Sequence, residues 1–110
     1  MIQEKYLDEY ITAYCKKVDI TLEQLKSKGR KRDLVEKRMI AAYFLRNKVG
    51  MTFLSVGKYL HKNHASVIHY VNLTENFLTV YPHIKRLYNI VKNLLFQMIC
   101  RIQYQKKKKN

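Results

Sequence analysis

His61, His64 and His69 stand close together in a stretch that also carries Lys58, Lys62, Asn63 and Ser66. Imidazole, ammonium, amide and hydroxyl groups at this density are the donors and acceptors that meet base edges and phosphates in a nucleic-acid groove. Two other chemistries are available to such residues, and neither completes itself here. The pair His61-x-x-His64 could bring two imidazoles together, but both cysteines are distant and no Asp or Glu follows nearby, so the ligand set is incomplete and no metal is expected. Paired carboxylates, a nucleophile elbow and a Walker A loop are all missing, so neither a catalytic residue nor a cofactor is expected.

The elements that must position these side chains can be read from the same stretch. Val56-Gly57-Lys58-Tyr59-Leu60 ends a short amphipathic helix, His61 to Asn63 breaks it, and a second helix follows whose first turn is small and polar. Two helices joined by about 3–4 residues form a helix-turn-helix unit, whose second helix lays its N-terminal residues in the major groove. Here the turn is expected at Lys62 to Ser66, and Gly57 is expected to allow close approach of the two helices. Along the second helix Val67, Ile68, Val71 and Phe77 are expected to face inward.

Bulk properties agree with a nucleic-acid partner. Twenty-two Lys and Arg against eight Asp and Glu give a net charge of +14, and Glu75 is the only acid after Glu36. Such a balance points to a polyanion, with nucleic acid before a membrane surface or an acidic protein. At 110 residues and 47% apolar composition the chain fits a single modest core. Cys15 and Cys100 have no CxxC spacing and are expected as buried free thiols in a reducing, cytoplasmic setting. The N-terminus lacks a signal-peptide pattern and the apolar run at Leu94 to Cys100 is too short to span a bilayer, so no membrane is expected.

The rest of the chain reads as helices around that unit. Ile2, Tyr6, Tyr10 and Tyr14, with Leu7 and Ile11 beside them, make one helical stripe, and Thr21 to Gln24 is a capping-box pattern. Five cations, Lys26, Lys28, Arg30, Lys31 and Arg32, then crowd around Gly29. Asp33 is expected to cap a long helix that ends at Gly50, Thr52 to cap the next, and Pro82 to open the last. The fold class expected is all-α: a helix-turn-helix domain of about six helices with a long C-terminal helix. It is expected to occupy residues 1–104, with 105–110 a basic disordered tail.

Gly57 and the run from Lys62 to His69 resemble the signature of the C-terminal DNA-binding domain of DnaA, the bacterial replication initiator. Ser27 to Arg32 and Arg38 to Arg46 resemble that domain's basic loop and the long helix after it, in register from about residue 5 to about residue 95. The resemblance implies double-stranded DNA as partner. It implies that Lys62, Asn63, His64, Ala65 and Ser66 face the major groove or its phosphates, with His69 structural or phosphate-facing. By the same resemblance Arg30 would enter the minor groove, Arg38 would read a base and Arg46 would hold a phosphate, while Lys58 joins the contact set by its charge. Asn63 stands where the family has Asp, and its amide could pair with adenine bidentately. Ala65 replaces a Thr and His61 a Gly, departures that set the family's usual box sequence in question for this chain.

Without a Walker A loop, the chain would recognise a site in replication initiation or its regulation without itself hydrolysing ATP. A transcriptional repressor is the alternative, as is an interaction protein using the last helix. In that helix apolar residues recur from Ile84 to Ile102 at heptad-like spacing. The later ones, Met98, Ile99 and Ile102, are expected to extend past the globule, where a homodimer or a replication-protein partner could dock.

Overall fold

The computed structural model describes residues 4–108, and these form six α-helices with no strand among them. In chain order they are α1 (Glu4–Lys17), α2 (Leu22–Lys26), α3 (Arg32–Phe44), α4 (Phe53–Leu60), α5 (His64–Val80) and α6 (Pro82–Lys108). The all-α class and the long last helix stand as expected.

Local chemistry sets most of the boundaries. Thr21 opens α2 with a reciprocal capping box: its hydroxyl accepts from Gln24 N at 3.0 Å while Gln24 Oε1 accepts from Thr21 N at 2.9 Å. Thr52 caps α4 by accepting from Ser55 N at 3.1 Å, and Pro82 begins α6 where its missing N–H would have had no helical partner. After α3 the backbone widens into a π turn, Leu45–Val49, which Gly50 ends at a φ of 88° that glycine adopts without a Cβ clash. Asp33 departs from expectation. The helix starts two residues earlier than a cap at Asp33 would place it, at Arg32, behind an uncapped Lys31, and Asp33 Oδ2 instead accepts from Lys37 Nζ at 3.0 Å. An acid within the first turn gains from the helix's positive end much as a cap does, so sequence alone confuses the two.

At the centre lies α3, touching α2, α5 and α6, while α1 packs along α6. From α1 the core takes Leu7, Tyr10, Ile11, Tyr14 and Cys15, all buried; Ile2 lies outside the described residues. The two buried phenols are not left unpaired: Tyr10 Oη donates to Val91 O at 2.9 Å and Tyr14 Oη to Lys37 O at 3.1 Å. Burial raises both well above the usual tyrosine pKa. Tyr88 of α6 stacks edgewise on Tyr43 and at a tilt on Phe44, closing the α3–α6 seam.

Three further expectations change. Ile68 of α5 is exposed rather than inward-facing, because Val67, Val71 and Thr74 already fill the arc turned to α3 and α4. Met98 is buried at 6% exposure and belongs to the core cluster, so the α6 stripe is used by the domain itself at least that far; the side chains of Ile99 and Ile102 lie outside the described residues. Cys15 is buried but Cys100 is exposed. Helix α6 runs through Lys108, and Lys109 and Asn110 lie outside the described residues. No helix among the described residues is long and apolar enough to cross a membrane.

Candidate nucleic-acid interface

The turn between α4 and α5 is three residues, 61–63, and its path is fixed by backbone contacts. His61 ends α4 in the left-handed region at a φ of 58°, and Lys62 N donates back to Gly57 O at 2.8 Å. A Cβ on Gly57 would fall 2.5 Å from Lys62 O, so only glycine lets the turn fold back this closely onto α4. Asn63 then caps α5, its Oδ1 accepting from Ser66 N at 2.8 Å. The cap engages the same oxygen that a bidentate pairing with adenine would use. The second helix therefore begins at His64, two residues inside the span expected for the turn.

Helical periodicity spreads the α5 side chains around its axis at about 100° per residue. His64, Ala65, Ile68, His69 and Asn72 are all exposed and fall on one arc, opposite Val67, Val71 and Thr74. Ser66 is half-buried at the edge of that arc. Ile68 and Asn72 were not among the expected contacts. Their signal was present in the sequence, since they follow Ala65 at three and seven residues.

The cations split into two groups. Arg30 and Lys58 are exposed, as are Lys28, Lys31 and Arg32 around them in sequence. Arg38, expected to read a base, is instead 2% exposed: Nε donates to Leu25 O at 2.8 Å, Nη1 to Gly29 O at 3.0 Å and Nη2 to Gln24 O at 3.3 Å. Lys62 also turns inward, its Nζ donating to Lys26 O at 3.1 Å and Ser27 O at 2.6 Å. Desolvation, then the nearby charges of Arg38 and Lys28, hold its ammonium below the usual lysine pKa. Of the last carbonyls of α2, Gln24 O also accepts from Ser27 N at 3.2 Å, while Leu25 O and Lys26 O take donors from these two cations. Without DNA, the charged groups of Arg38 and Lys62 thus find their acceptors within the protein.

Arg46 stands apart from this cluster, at the opposite end of α4. Its Nη1 donates to Met51 O at 3.2 Å and its guanidinium lies 4.5 Å from the Phe53 ring centroid. Lys26, at the start of the loop, is 4.4 Å from the Tyr59 ring, whose hydroxyl donates to Asp8 Oδ1 at 2.7 Å. The basic loop, the end of α4 and the start of α5 are thus gathered on one side. Among the described residues no three His, Cys, Asp or Glu side chains converge as a metal site would require.

A family model described as the bacterial DnaA protein helix-turn-helix matches residues 8–73. Among curated relatives, the chromosomal replication initiator protein DnaA of Bacteroides thetaiotaomicron is 33% identical over 64 residues, 57% of this chain and 14% of that protein. The same-named protein of Thermomicrobium roseum is 32% identical over 79 residues, 70% of this chain and 17% of its own length. That of Mycoplasma genitalium is 33% identical over 67 residues, 59% and 15% respectively. The chain thus spans less than a fifth of the length of these relatives. With the matched residues taking in α2 to α4, most of α1 and the first half of α5, the chain belongs to the bacterial DnaA helix-turn-helix family.

Proposed function

We propose that this protein binds double-stranded DNA at preferred sequences and acts in replication initiation or its regulation. The observation that carries the reading is the exposed arc of α5, held on a capped helix start beside a loop of exposed cations. His64, Ala65 and His69, with Asn63 and with Ser66 at the edge, face the major groove, and Ile68 and Asn72 extend the same surface. Arg30 enters the adjoining minor groove, and Lys58 and Arg46 hold phosphates. Arg38 and Lys62 support this surface from behind. The relatives' name as chromosomal replication initiators supports the replication setting.

Selection of bound duplexes from a random pool tests the reading, followed by titration of the best site against a scrambled one across salt. An enriched motif and a steep fall of affinity with salt are expected, with roughly one unit of log–log slope for each phosphate neutralised. Equal affinity for all sequences would leave only a nonspecific cationic coat.

A further inference from the structure

The residues that hold the basic loop point to a second layer of function. Arg38 reaches from α3 to the main-chain oxygens of Gln24, Leu25 and Gly29, and Lys62 reaches from the α4–α5 turn to those of Lys26 and Ser27. Together they take one carbonyl after another along the end of α2 and the start of the loop. Ser27 Oγ adds a local lock, accepting from Gly29 N at 3.2 Å and donating to Gln24 O at 2.7 Å. Lys62 is also the residue immediately before the Asn63 cap, and its own backbone N–H is fixed to Gly57 O. One side chain therefore ties the loop that carries Arg30 to the turn residue just before the cap of the helix that carries His64. Two like charges placed beside a loop that is itself cationic would repel it, and it is the carbonyl oxygens that make the arrangement attractive.

We propose that Arg38 and Lys62 are positioning residues that fix the basic loop against the start of α5, and so set the spacing at which one protein reads the two grooves of its site. This rests on the duplex-reading function given above. A loop held before DNA arrives loses little freedom on binding. It also offers Arg30 to the minor groove at one offset from the bases that α5 meets.

The test uses the full chain as wild type, Lys62→Met, Lys62→Arg and Arg38→Lys, each first checked for an unchanged helical spectrum. Backbone amide relaxation without DNA comes first. Residues 27–31 should be as ordered as the helices in wild type and in Lys62→Arg, and mobile on the ps–ns scale in Lys62→Met, with α3 and α5 unaltered. Selection from a random duplex pool comes second. Wild type should enrich an A·T-rich flank at one offset from its core motif; Lys62→Met should keep the core motif, lose the fixed offset, and bind its best site roughly tenfold less tightly. Arg38→Lys, which cannot span three carbonyls with a fork, should move both readouts the same way. The proposal is overturned if loop order survives in both Lys62→Met and Arg38→Lys. It is equally overturned if Lys62→Met weakens every sequence alike while the offset stays fixed, since Lys62 would then be a plain phosphate contact. A wild type that enriches no sequence removes the duplex-reading function and this proposal with it, and loop mobility in the variants would then mark the two cations as supports of stability alone.

Discussion

Residues 26–31 and helix α6 are both rich in lysine and arginine, and both lie against the same bundle, yet they are fastened by opposite means. The loop contributes no fully buried side chain; it is gripped through its main-chain oxygens by Arg38 and Lys62. The helix is held by Ile84, Val91 and Met98 sunk in the core, with Tyr10 Oη bonded to Val91 O. Apolar burial supplies more energy and little direction, whereas hydrogen bonds to carbonyls supply less energy and fix geometry. Stability and recognition should therefore respond to different residues.

The largest effect expected is on the apolar side. Ile84→Ala, at a fully buried site, should cost about 2–5 kcal/mol in urea unfolding while leaving duplex affinity of the folded protein unchanged. Weakened binding well below the melting temperature would show that α6 and the reading surface are not separable. Next, His64→Ala should lose roughly 1–3 kcal/mol of affinity for the core of the selected site with unfolding midpoints within about 0.5 kcal/mol of wild type, because His64 is exposed. Arg30→Ala should instead weaken binding most on A·T-rich flanks, where the minor groove is narrow; a uniform loss in both variants would erase the distinction between groove readers.

Asn63 sits on both sides of the comparison. Asn63→Ala removes the bond to Ser66 N and should cost about 1 kcal/mol of thermal stability, whereas Asn63→Asp should keep the cap, with the charge favoured at a helix start. Equal melting of the two variants would mean the cap contributes nothing measurable. The smallest effect is chemical. A thiol reagent at pH 8 should modify exposed Cys100 with no change in stability and leave Cys15 untouched until unfolding, since burial pushes the Cys15 thiol up to about 11 and keeps it protonated. Labelling of folded Cys15 would indicate that the α1 side of the core opens readily.

What the sequence revealed followed the range of the interaction. Thr21, Thr52, Gly50 and Pro82 were legible because each acts on its own neighbours through one backbone group, and the type of residue states the act. The buried tyrosines Tyr10 and Tyr14 followed from four-residue spacing in the same way. The intramolecular partners of Arg38 and Lys62 were not legible because they are main-chain oxygens 9 to 14 and 35 to 36 positions away, which carry no letter in the sequence. Charge on an arginine announces an acceptor without saying whether it belongs to DNA or to the protein. Ile68 was misread for a different reason, since an apolar side chain beside Val67 looks like core until the helix is turned and Val67, Val71 and Thr74 are seen to complete the inner arc.

The grip on the basic loop has a consequence for how such a protein can change over generations. Because Arg38 and Lys62 hold main-chain oxygens, the anchoring is indifferent to which side chains the loop displays, so Lys28, Arg30 and Lys31 are free to be exchanged without loosening the frame that presents them. Gly29 is the exception, since a Cβ there would lie 2.8 Å from Leu34 Cδ2. A lineage could thus change what the loop displays through a few outward substitutions, while the inward pair is kept by its contacts to the main chain.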